Sequence, residues 1–109
     1  MSAVVIGGTI LRDLLSKKRS RIPAGWCRAY ENRKSDVLIA CTEKKHEGAK
    51  WVIATLSVPQ LYGPAEAIFS MLFLTHEHAK RGLHKAAREK GFKPDGGWVY
   101  NQADGSPRT

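Results

Sequence analysis

A chain of 109 residues holds one compact domain, and at that size it buries enough apolar surface to fold without metals or disulfide staples. Its balance of 42% apolar and 26% charged residues excludes a wholly disordered chain. The formal charge of +8 favours an anionic partner, and no apolar run approaches the roughly 20 residues of a membrane span.

The charge is concentrated. Residues 1–21 hold Arg12, Lys17, Lys18, Arg19 and Arg21 against Asp13 alone. Residues 76–93 hold Lys80, Arg81, Lys85, Arg88, Lys90 and Lys93 against Glu77 and Glu89. The middle of the chain is nearly balanced, so two segments produce almost the whole field. The short apolar run Ala3–Ile6 has no basic stretch before it, so no secretory signal and a cytoplasmic location are expected.

In chain order, Val4–Ile6 reads as a short strand or an ordered arm. Thr9 is placed to cap a helix over about 10–19, with Ile10, Leu11, Leu14 and Leu15 as its apolar stripe and Pro23 closing the segment. Three strands follow, Trp26–Glu31, Val37–Glu43 and Trp51–Val58. Polar turns at Asn32–Asp36 and Lys44–Gly48 join them into an antiparallel meander. Cys27 and Cys41 are equally far from Lys34, so a hairpin centred there sets them opposite one another; reduced, packed thiols are the expected state.

Pro64, Glu66, the apolar phase running from Ala65 to Ala87, and the stop at Gly91 with Pro94 predict one long helix over about 64–90. Its span of roughly 40 Å is long for so small a domain, and Thr75 marks the place for a kink and a second cap. Trp98–Tyr100 is an optional fourth, edge strand, and residues 101–109 read as a disordered tail behind a single α+β domain, 1–100. The expected fold is therefore α+β, with a short N-terminal helix, a three- or four-stranded antiparallel sheet and a long C-terminal helix. Both helices are expected on one sheet face, leaving the face of Trp51, Ile53 and Thr55 partly uncovered.

Arg81, Lys85 and Arg88 fall within about 60° of one another on the side opposite Ala79, Leu83 and Ala86, with His84 alongside and Lys80 next to them. Cations along one helix side suit a phosphate backbone. Lys17, Lys18, Arg19 and Arg21 form the second cluster. Trp26 and Tyr30, interleaved with Arg28, offer a stacking platform, with Trp51 on a later strand. His76 and His78 diverge by about 200° on a helix and His76 and His84 lie about 12 Å apart, so no metal is expected. His76 instead falls on the apolar face as a hydrogen-bonded core residue. No phosphate-cradling glycine motif, oriented nucleophile or carboxylate cluster is present, so neither an enzyme nor a cofactor is expected.

The order of helix, three antiparallel strands and helix is similar to that of double-stranded-RNA-binding domains. That family carries lysines at the start of its second helix, where this chain has Gly63-Pro64-Ala65-Glu66-Ala67, so its RNA-binding residues are not carried over. Arg21-Ile22-Pro23, Trp51 with Leu56-Ser57, and Leu83-His84 after Glu77 resemble a small domain of phage genomes whose function is unknown. Its His-Leu-Trp ending is missing here, with Trp98 the nearest tryptophan.

The leading expectation is a small non-enzymatic module that engages nucleic acid or a nucleoprotein complex through Arg81, Lys85 and Arg88, supported by Lys17, Lys18 and Arg19. The second is a phage-type inhibitor or adaptor docking on an acidic host protein. The third is a homodimerising structural domain using Met71 and Leu74, which lie off the main apolar face.

Overall fold

The computed structural model describes residues 8–16, 20–22, 24–46, 48–60 and 63–101, and of Ser16, Ser20 and Arg21 the backbone alone. The elements in order are α1 (Thr9–Ser16), β1 (Ser20–Arg21), β2 (Gly25–Glu31), β3 (Val37–Glu43), β4 (Val52–Val58), β5 (Gly63–Pro64), β6 (Glu66–Phe73), α2 (His76–Glu89) and β7 (Lys93–Asn101). A five-stranded antiparallel sheet in the order β6-β4-β3-β2-β7 forms the body, and β1 and β5 pair in parallel beside it.

The central meander follows the alternation of its side chains. Asn32 Oδ1 accepts from the backbone N–H groups of Lys34 and Asp36 at 3.0 and 2.9 Å, which closes the turn between β2 and β3. That turn fixes the register, and Cys27 stands directly opposite Cys41. Both thiols are buried, with Sγ atoms 2.9 Å apart, and burial pushes the Cys41 thiol well up.

The two sheet faces bury different helices. Tyr30, Leu38, Ala40, Val52, Ala54 and Leu56 pack against Ala79, Leu83 and Ala87 of α2. The alternate residues Cys27, Ala29, Ile39 and Cys41 pack against Leu11 of α1. The helices therefore lie on opposite faces, which corrects the expectation of one shared face. The cause is the meander itself, whose strands are apolar on both sides and so demand a cover on each.

The long helix over 64–90 and the three-stranded sheet are overturned as well. Its first half is the strand β6, hydrogen-bonded to β4, and only 76–89 is helical. Val52 opposes Phe73 and Leu56 opposes Phe69, so these two phenylalanines reach the α2 side. The predicted kink at Thr75 is the true start of the helix: its hydroxyl accepts from His78 N–H at 3.1 Å. At the other end, Phe92 N–H bonds the Ala87 carbonyl and Gly91 N–H the Arg88 carbonyl, with Gly91 at φ 89°.

The optional edge strand is the nine-residue β7. Asn101 is its last residue and is buried, donating from Nδ2 to the Ile22 carbonyl at 3.0 Å, so the tail does not begin there. Asp95 of β7 accepts from Ile10 N–H at 2.9 Å and so caps α1 from a distant strand. Residues 4–6 and 102–109 lie outside the described residues. No helix among the described residues is long and apolar enough to cross a membrane.

Candidate nucleic-acid interface

The helix α2 docks through small residues, and its flanks are set by that contact. Ala79, Leu83 and Ala87 are fully buried, which brings the helix close to the sheet and leaves Lys80 and His84 leaning toward β2 and β7. Two imidazoles tie it down. His84 Nδ1 lies 2.9 Å from the Tyr30 hydroxyl and His76 Nδ1 lies 2.8 Å from the Thr42 hydroxyl. Burial raises the Tyr30 phenol above its ordinary range while the neighbouring Arg28 opposes that shift. Tyr30 thus keeps its proton and shares this hydrogen bond with the His84 ring.

Arg28 occupies the place where the sheet is irregular. The pairing of β2 with β7 shifts between Cys27 and Ala29, so residues 96–98 bulge opposite Arg28. Arg28 Nε donates to the Gly96 carbonyl at 2.7 Å, and its guanidinium carbon sits 5.6 Å from the ring centroids of both Tyr30 and Trp98. Facing it, Lys80 Nζ lies 4.2 Å from the Trp26 centroid and 5.8 Å from that of Trp98. Glu77 pairs with Lys80 at 3.2 Å. Trp26 meets Tyr100 edge-on, with centroids 5.3 Å apart at 73°.

The outcome is an open groove of about 540 Å³ between α2 and the β2–β7 side of the sheet, lined by Arg28, Glu77, Lys80, Arg81, His84, Lys85 and Trp98. Four cations and a histidine face it against one carboxylate. Two walls on different elements thus hold four cations beside the Trp98 indole.

Of the residues singled out in the sequence, Lys80, Arg81, His84 and Lys85 come together here. Arg88 does not line the groove; it turns toward the helix end, with Nη1 donating to the Phe92 carbonyl at 3.3 Å. Lys17, Lys18 and Arg19 lie outside the described residues, and Arg21 is placed only as backbone in β1. Trp26, Arg28 and Tyr30 share the α2 face of β2, as their alternation indicates. Trp51 does not join them, because it shares the phase of Ile53 on the opposite face.

Trp98 is the groove residue that the sequence did not reveal. It is expected only within an optional edge strand, Trp98–Tyr100, and its place in the groove depends on the bulge at 96–98.

A second depression of about 350 Å³ lies between Gly25, Glu43, Lys44, His46, His76 and Tyr100. Burial, aided by Lys44 and Lys80, lowers the pKa of His76. Among the described residues no three His, Cys, Asp or Glu side chains converge to hold a metal. Compared with protein-family models, curated proteins and solved structures, the chain has no match in any of the three.

Proposed function

We propose that this protein is a non-enzymatic module that binds nucleic acid, single strands in preference to duplex, in the groove between α2 and the β2–β7 side of the sheet. The supporting observation is the convergence of Arg28, Lys80, Arg81 and Lys85, drawn from a strand and a helix distant in sequence, around Trp98. Arg81 and Lys85 are exposed and serve as phosphate contacts. Arg28 and Lys80 are held over aromatic rings, so their charge stands at a fixed place beside the indole on which a base would lie. A duplex offers such a ring no unstacked base, and this is the ground for the preference.

The test is fluorescence anisotropy with a labelled single strand and a labelled duplex, each titrated at low and near-physiological salt. The expected outcome is binding that weakens steeply with salt, with the single strand held more tightly. Replacing Arg81 and Lys85 together by Glu removes two phosphate contacts, so the slope of log K against log salt is expected to fall by about 1.4 for a single strand. Trp98→Ala is expected to weaken the single strand by about 1–3 kcal/mol and the duplex much less. No binding of either ligand at low salt excludes this function.

A further inference from the structure

The two edges of the main sheet are built differently. The β7 edge carries Lys93 and Pro94 and is interrupted by the bulge opposite Arg28, all features that discourage a further strand. The β6 edge is bulged only near its start, at Ile68, and from Phe69 to Phe73 it has none of these. Its sequence from Ala67 to Phe73 contains no charge and no proline, and among the described residues no strand lies on its outer side. An unguarded antiparallel edge presents the N–H and C=O of every second residue to any strand that reaches it.

The side chains there are equally unprotected. Ile68, Met71, Leu72 and Leu74 are 48–56% exposed, and Trp51 beside them is 44% exposed. Together these five residues offer apolar surface on the order of 500 Å² per chain, against ~800 Å² per partner in a standard interface of which somewhat more than half is apolar. The surface is thus large enough to be the apolar part of one complete half-interface.

We infer that this edge pairs with the same edge of a second copy, antiparallel about a two-fold axis through Met71, and makes one ten-stranded sheet from two chains. A second copy suits the edge because the strand is complementary to itself. With Met71 on the axis, Phe69 faces Phe73 of the other copy and Ser70 faces Leu72, a stretch clear of the bulge at Ile68 in which no like charges meet. Directly opposed residues point to the same side of an antiparallel pair. The Phe69 and Phe73 rings therefore extend the apolar layer under α2 across the junction, and Leu72 extends the opposite face.

Sedimentation equilibrium of the wild-type chain from low micromolar to near-millimolar concentration tests this, with no nucleic acid present, so the result is independent of the proposed binding function. The expected mass rises to twice that of the monomer with concentration. Leu72→Lys is expected to weaken the dimer by about a hundredfold, since every dimer loses the apolar side chain twice. A monomer throughout overturns the proposal, as does a dimer that Leu72→Lys leaves unchanged. Should Leu72→Lys fail to fold by circular dichroism, Met71→Cys replaces it. Two cysteines on the axis lie within disulfide reach, and a covalent dimer is expected under diamide, with Lys93→Cys on the other edge giving none. Absence of the Met71→Cys cross-link, or an equal yield from Lys93→Cys, overturns it.

Discussion

His76 shows how one side chain joins chemistry to stability. Its imidazole accepts or donates one hydrogen bond with Thr42 beneath α2, and burial together with Lys44 and Lys80 disfavours its cationic form, Glu77 opposing them. A base whose folded pKa is depressed costs nothing while it is neutral in both states, above its unfolded pKa near 6.5. As the pH falls below that value the unfolded chain takes up the proton first, and stability is lost down through the folded pKa. Urea denaturation midpoints are therefore expected to drop as the pH falls below about 6.5, and His76→Gln is expected to flatten that part of the profile. The reading of His76 as a core residue needed only its helical phase. The partner needed the sheet, since nothing in a linear sequence assigns Thr42 to His76 across 34 positions.

At the scale of elements, Thr75 separates a strand from a helix with a single hydroxyl. Thr75→Ala leaves the His78 N–H without its acceptor and is expected to destabilise the protein by about 1 kcal/mol, read from chemical denaturation. Thr75→Ser is expected to retain most of that.

The same boundary explains the largest error of the sequence reading. Ile68, Phe69, Leu72 and Phe73 fit a helix phase that continues into Ala79 and Leu83, while Phe69, Met71 and Phe73 fit a strand. A run apolar at nearly every position satisfies both periods, and only the neighbouring strand β4 decides between them. By contrast, Val37–Glu43 was legible to the residue, because its two polar turns and alternating branched side chains admit one reading. β7 was legible only in part. Its Gly96-Gly97 pair belongs to a bulge inside a strand, which a local reading takes for a turn. The basic side of α2 was visible in the sequence, and Arg28 was noted beside its aromatics, but the groove needed the bulge that brings Trp98 over Arg28.

On the whole molecule, charge and apolar surface divide across the sheet. The basic groove stands at the β2–β7 side, and the unguarded apolar edge lies at β6, three strand spacings from β2 or roughly 14 Å. Charge reversal at Arg81 and Lys85 is therefore expected to leave self-association unchanged, and Leu72→Lys to leave the affinity of each groove for a short oligonucleotide unchanged. Isothermal titration and sedimentation, run on both variants, check this separation.

The groove has one wall on α2 and the other on β2 and β7, and the helix is held to the sheet by Ala79, Leu83 and Ala87, by Phe69 and Phe73 packed against them, and by two imidazoles. Occupancy and docking are then one equilibrium seen from two sides. Anything that touches both walls opposes the lifting of the helix, and anything that frees the helix dismantles the site. Amide exchange should register this without an affinity measurement: a saturating oligonucleotide is expected to slow deuterium uptake along 76–89 while 66–73 stays as it was.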